Sequence, residues 1–249
     1  MAEKLEQLGK GICQVVTNDH GFGTDALLLA DFASPKKNDR CMDFGTGCGI
    51  IPMVWKRNGV TADIYGLDIQ PKAIEQFNES VKLSSDNGHD MTNVHPILFD
   101  LKKIADGDKT YADLHGSFRV VTMNPPYKPS GEGIISDSGA DKIARHMTEC
   151  NLDDICKAAA KLLNFGGRFC VCLRPERLPD MMEAMRSNGL EPKRLRFVAK
   201  RPGSKPWLFL LEGRRGGRPF LEVDGTLYIQ AEDGSQSEEL KRIIGEYAD

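Results

Sequence analysis

The chain has 249 residues, of which 40% are hydrophobic and 28% charged, with a formal net charge of -3. That length can bury a full core as one large domain without disulfides or structural metal. The composition fits a folded, water-soluble protein and excludes collagenous, disordered and helical-membrane classes. No apolar run approaches the roughly 18 residues that span a bilayer. The opening MAEKLEQLGKG carries no apolar signal core, so a cytoplasmic location is expected. The seven cysteines are scattered, with neither a Cys-x-x-Cys pair nor zinc spacing, which points to reduced thiols and no metal centre.

Taken in chain order, residues 1–38 end in a helix-like run, Asp25–Phe32. Arg40–Phe44 reads as the first central strand, Gly45–Gly49 as its turn and Ile50–Arg57 as a helix. Asp63–Asp68 reads as the second strand. Pro71 follows where a first helical turn tolerates proline. Ile74, Phe77 and Val81 keep helical spacing until Asn87-Gly88 stops the helix. Val94–Asp100 reads as a third strand, and Pro96 inside it argues for a sheet edge. Residues 101–117 are polar and give no clear pattern.

Phe118–Met123 reads as a fourth strand running into Asn124-Pro125-Pro126-Tyr127. Residues 128–145, rich in Gly and Ser, read as a long loop, expected to be mobile until a partner binds. A helix is expected from Asn151, with Asp154 in the capping-box position, ending at Gly166-Gly167. Phe169–Leu173 is then a fifth strand and Pro179–Ser187 a helix. The tail reads as strands Arg194–Lys200, Trp207–Glu212 and Pro219–Ile229, with a hairpin turn at Arg214–Gly217. Alternating strands and helices predict an α/β fold with a largely parallel sheet.

The small net charge hides an asymmetry. Lys193, Arg194, Arg196, Lys200, Arg201, Lys205, Arg214, Arg215 and Arg218 are opposed in that stretch only by Glu212. A basic region on an acidic protein is a footprint for an anionic partner, although such arginines can also serve as solvated sheet faces.

Three motifs carry chemistry. Asp43-Phe-Gly45-Thr-Gly47-Cys-Gly49 lies between a strand and a helix. Its glycines let backbone approach a ligand, and the helix start presents free N–H groups to it. A dinucleotide fingerprint would need glycine at position 50, which is Ile50, and no Gly-Lys-Ser/Thr follows for a P-loop. A tight structural turn would use the same glycines. Asp68 ends the second strand, where an acid can accept both ribose hydroxyls of a nucleoside; a helix-start acid is the plainer alternative. Asp100 closes the third strand and can accept from an adenine amino group, or merely be solvated there. In Asn124-Pro-Pro-Tyr127 the prolines remove two donors and fix an extended turn. The Asn124 side-chain carbonyl and the Pro125 backbone carbonyl are then paired acceptors for a planar NH2 group. Tyr127 can stack on the ring that carries it.

In that order the motifs resemble class I S-adenosylmethionine-dependent methyltransferases that act on amino nitrogens. More narrowly, the chain resembles the bacterial tRNA1(Val) (adenine-37-N6)-methyltransferase family. The resemblance extends to Phe22–Ala30, the Ala144-Arg145-His146 stretch, Glu176-Arg-Leu178 and Asp233–Leu240. It implies a Rossmann-like, mostly parallel seven-stranded sheet with helices on both faces and an antiparallel C-terminal hairpin. Residues 1–38 would close over the cofactor and 39–249 form the methyltransferase domain. The implied cofactor set is Phe22, Thr24, Asp25, Asp43, Gly45, Gly47, Gly49, Asp68, Ile69, Asp100 and Leu101, with Asp43 ordering the turn or receiving the cofactor's ammonium. Asn124, Pro125, Pro126 and Tyr127 would hold the target amine. Asp25 could instead cap its helix.

The expected partner is tRNA, held by the basic segment together with Lys128 and Arg145; no membrane or metal partner is expected, and a monomer is favoured. A target adenine must be unstacked, as in an anticodon loop, or flipped out. No general base is assigned, and the lone histidines His20, His95 and His146 receive no catalytic role. The motif is shared by protein glutamine methyltransferases and, in a Phe form, by some guanine methyltransferases, so both remain alternatives. Against the former, only about 38 residues precede the first strand, too few for the helical domain that family usually carries. A non-catalytic binding module of the same fold is a further reading, opposed by the presence of both Asn124 and Tyr127.

Overall fold

A computed structural model describes residues 4–16, 21–125 and 151–244. An antiparallel hairpin of β1 (Lys4–Gln7) and β2 (Cys13–Val16) precedes helix α1 (Thr24–Ala33). Then come β3 (Cys41–Phe44), α2 (Ile50–Arg57), β4 (Ile64–Asp68), α3 (Pro71–Asp86), β5 (Val94–Leu98), α4 (Leu101–Asp106) and β6 (Phe118–Met123). Beyond residue 150 follow α5 (Leu152–Leu162), β7 (Leu163–Leu173), α6 (Leu178–Ser187), β8 (Leu190–Ala199) and β9 (Pro206–Arg215). Two short strands, β10 (Glu222–Val223) and β11 (Leu227–Tyr228), and helix α7 (Glu238–Ile244) complete the described chain.

One sheet runs in the order β10-β8-β9-β7-β6-β3-β4-β5, with β11 also on β8. Strands β3 to β7 are parallel neighbours, and β9 is antiparallel to both β7 and β8. Side chains alternate across the sheet as the pleat requires. Along β7, Phe169, Val171 and Leu173 enter a core shared with Ile155 and Met181, while Cys170 and Cys172 enter another with Leu28, Trp55 and Phe77. The sheet is therefore sandwiched between two helical layers. The hairpin is fixed to α3 by hydroxyls: Ser80 Oγ accepts from Val15 N at 2.9 Å and Ser84 Oγ from Cys13 N at 3.0 Å. Gln14 Nε2 reaches Cys48 O in the glycine turn at 2.6 Å.

Pro96 does lie on the edge strand β5, and Asn151 does cap its helix, accepting from Asp154 N at 2.8 Å. Three local expectations are corrected. Helix α5 stops at Leu162 rather than at Gly166-Gly167, because Leu163 is already extended and pairs with Phe118. The glycines instead fall within an irregularity of β7 before Arg168 rejoins the ladder opposite Val120, with Gly166 at φ +75°. The hairpin turn is at residues 200–205, between β8 and β9, not at Arg214–Gly217. After β9 the chain passes round the outside of β8, where residues 219–229 supply two parallel two-residue strands, so the sheet has nine strands instead of seven.

Among the described residues no helix is long and apolar enough to cross a membrane. None of the six described cysteines is in a disulfide. No group of three or more His, Cys, Asp or Glu among those residues is placed to hold a metal ion.

Candidate active site

The strand order turns back between β3 and β6, so a crevice opens beyond their carboxyl ends, the place where open α/β sheets bind ligands. Phe44 is paired with Met123, which sets Gly45 beside Asn124. A cavity of about 330 Å³ lies there, lined by Phe22, Asp25, Asp43, Gly45, Thr46, Gly47, Ile50 and Asn124, among others. Its size is in the range of small-molecule sites, about 300–1,000 Å³. The first turn of α1, the glycine turn and the end of β6 thus converge from three separate parts of the sequence.

Each glycine of the turn has positive φ: +60° at Gly45, +55° at Gly47 and +87° at Gly49. Their surroundings differ. A Cβ on Gly47 would meet nothing within 4 Å, so its backbone faces open space. A Cβ on Gly49 would lie 2.2 Å from the Phe77 ring, so this glycine permits close packing of α2 on α3. Gly47 N donates to Asp68 Oδ2 at 2.8 Å, and Gln70 N to Asp68 Oδ1 at 2.9 Å. The nearly buried Asp68 therefore holds the turn in shape and starts α3, and each of its oxygens keeps one further lone pair.

Asp43 is 2% exposed and accepts a hydrogen bond from Thr122 Oγ1 at 2.6 Å. Burial pushes its carboxyl up to about 7, the Thr122 and Thr46 hydroxyls oppose this, and the Asp68 charge adds to it. Thr46 Oγ1 is buried beside that carboxyl and makes no hydrogen bond of good geometry among the described residues. Together these make a polar floor suited to a cationic group. Asn124 directly follows β6, and the Cys172 thiol of β7 donates to its Oδ1 at 3.1 Å. Pro125 is buried, while Pro126, Tyr127, Lys128 and Arg145 lie outside the described residues, as does the loop 128–145.

Phe22, Asp25, Asp43, Gly45, Gly47 and Asn124 all line the cavity. Thr24, Gly49, Asp68, Ile69, Asp100 and Leu101 do not; Asp100 caps α4 through Lys102 N at 2.9 Å, and Leu101 is buried in the core. Sequence reading missed Thr46, Cys48, Ile50, Ile51 and Ala26 as lining residues. Thr46 and Cys48 stand between the glycines, and that position was the available signal.

The basic segment divides. Residues 200–205 join β8 to β9 at the same sheet edge as Asn124, and Lys200, Arg201 and Lys205 are exposed there. The others are engaged elsewhere. Arg196 makes a bidentate pair with Glu239 at 2.7 and 2.8 Å. Lys193 donates to Arg218 O and Phe220 O, Arg215 to Leu163 O, and Arg194 to Phe32 O. Arg214 stands opposite Arg168, toward the far edge of the sheet.

This strand order, with a glycine turn after the first central strand and an open crevice beside it, defines the class I methyltransferase architecture. A family model described as a methyltransferase domain matches residues 35–209, so the chain belongs to that family and is an S-adenosylmethionine-dependent methyltransferase. A curated relative from Tolumonas auensis, named tRNA1(Val) (adenine(37)-N6)-methyltransferase, is 24% identical over 226 residues, 90% of this chain and 88% of its own. The crystal structure of a predicted O-methyltransferase from Agrobacterium tumefaciens matches with a TM-score of 0.71 at 20% identity, over 90% of this chain and 97% of its own. A geranyl diphosphate C-methyltransferase from Streptomyces coelicolor, solved with S-adenosyl-L-homocysteine, matches with a TM-score of 0.51 at 13% identity, over 76% of each chain. At these identities the solved structures show the shared fold.

Proposed function

We propose that the protein methylates the exocyclic N6 of an adenine in tRNA, adenine 37 beside the anticodon of a valine tRNA. The observation that carries this reading is the placement of Asn124 and Gly47 around one cavity at the switch point of the sheet. The name of the Tolumonas auensis relative supports the choice of acceptor.

The cavity fits S-adenosylmethionine in size, in the open face at Gly47 and in the buried Thr46 hydroxyl. When bound, S-adenosylmethionine supplies a methyl carbon activated by a sulfonium sulfur. Gly45 and Gly47 line its backbone, Asp43 takes the ammonium, Asp68 the ribose and Asp100 the adenine edge, with Ile69 and Leu101 beside those acids. Gly49 serves by shaping the turn. Residues 1–38 close over the methionine end through Phe22, Thr24 and Asp25, and the docked hairpin supports that role; residues 39–249 form the catalytic domain.

Asn124 Oδ1 and the Pro125 carbonyl accept the two hydrogens of the target amine. This keeps electron density on nitrogen and holds it in line at near-attack distance, which supplies the main catalytic effect of positioning. Pro126 fixes the turn, and Tyr127 stacks on the flipped base. The proton leaves after transfer, when nitrogen is cationic. Lys200, Arg201 and Lys205 meet RNA phosphates beside the crevice, and Lys128 and Arg145 also take part in RNA binding.

Asn124→Ala tests the assignment. Methyl transfer to undermodified tRNA should fall by about two to three orders of magnitude, the loss typical of an oriented hydrogen-bonding group, while calorimetric affinity for S-adenosylmethionine stays within twofold. Unchanged transfer in the variant would refute the role of Asn124.

A further inference from the structure

At the opposite ends of the strands from Asn124 lies a second cleft, of about 410 Å³, which the methyl-transfer chemistry does not use. It is lined by Ser34, Lys36, Asp39, Arg119, Arg168, Arg194, Glu212 and Arg214. Five cations thus face two carboxylates. Glu212 is 5% exposed and gathers three guanidinium groups, with Arg168 at 3.1 Å, Arg194 at 3.3 Å and Arg214 at 3.8 Å. One carboxylate cannot accept from all the donors of three arginines, so donors are left for a further anion. Arg194 also lies 4.0 Å from Asp224 and over the Phe32 ring, which fixes its fork against α1. Arg119 and Lys36 stand on the exposed rim, and neither side chain makes a hydrogen bond or ion pair among the described residues.

We propose that this cleft is a binding site for a phosphate ester. Planar guanidinium forks match the paired oxygens of a phosphate, and the excess of positive charge suits a group that carries up to two negative charges. The cleft is larger than one phosphate, so it has room for the group to which the phosphate is attached. Two of its arginines, Arg194 and Arg214, belong to the basic segment of the sequence; the site accounts for their position at the edge away from the crevice. The inference stands on this cleft alone, whatever the methyl acceptor is.

Inorganic pyrophosphate is the probe, titrated calorimetrically into the full chain and into a Lys36→Ala/Arg119→Ala double variant. Both substitutions are on the exposed rim, so the fold should persist, and unaltered affinity for S-adenosylmethionine checks that it does. Pyrophosphate should bind the wild type and bind the double variant about tenfold or more weakly, consistent with the loss of two charge-assisted contacts. A second arm adds undermodified tRNA. If tRNA displaces pyrophosphate and itself binds the double variant less tightly, the phosphates belong to an RNA backbone. If both bind together, the ligand is a free phosphate ester. No heat from pyrophosphate, or equal affinity in both proteins, overturns the site.

Discussion

The buried Asp43 carboxyl makes cofactor affinity depend on pH in a direction that can be worked out. Burial raises its pKa from 3.8 to about 7 in the unliganded protein. The native state therefore holds a proton that the unfolded chain has lost, and the stability this contributes is full below about pH 3.8 and lost as pH rises to about 7. An ammonium placed against Asp43 needs the ionised form. With a pKa near 7, about 3% of the carboxyl is ionised at pH 5.5 and about half at pH 7.0, so affinity should rise about 16-fold across that range, or about 1.6 kcal/mol. With a pKa of about 7.7–8.0, the α-amino group of the cofactor is still more than about four-fifths protonated at pH 7.0, so its own titration adds little within the window. Calorimetry in two buffers of different ionisation enthalpy should also detect proton release at pH 6. In Asp43→Asn both effects should vanish, and the unliganded variant should no longer lose that increment of stability between pH 4 and 7. Wild-type affinity that is flat from pH 5.5 to 7.0, with no proton release, would refute the placement of a cation at Asp43.

Gly49→Ala combines a left-handed φ with a contact 2.2 Å from the Phe77 ring, and should cost about 2–4 kcal/mol in denaturant unfolding. A loss below 1 kcal/mol would show that the turn yields. Replacing Lys200, Arg201 and Lys205 together by Ala should flatten the dependence of log tRNA affinity on log salt by about 2–3 units, one phosphate contact per residue. An unchanged slope would remove that turn from the RNA surface.

Much of the fold could be read from the sequence because its signals are local. The glycine turn follows an apolar strand directly, Pro71 and Asn87-Gly88 bracket α3, and Pro96 marks the edge. Features that escaped are short or long-range. Helix α4 has six residues, too few to show a period, and the strands at 222–223 and 227–228 have two each. Leu163 takes a strand conformation because Phe118 lies beside it, which no helical pattern in 152–163 reveals. The convergence of Phe22, Asp43 and Asn124 was legible only through the family resemblance that the motif order carried. The division of the basic segment was not, since Arg196 finds Glu239 at 43 residues' separation and Arg168 finds Glu212 at 44. Nor did the sequence show that Cys172 would meet Asn124 across 48 residues.

The acceptor itself is tested most directly by nucleoside mass spectrometry. Unmodified valine tRNA is incubated with the protein and S-adenosylmethionine, digested and compared with a release-factor protein treated alike. We expect N6-methyladenosine in the tRNA, mapped to position 37, and no methylglutamine in the release factor. Methylglutamine with unmodified tRNA, or methylation of guanine in place of adenine, would contradict the proposed activity.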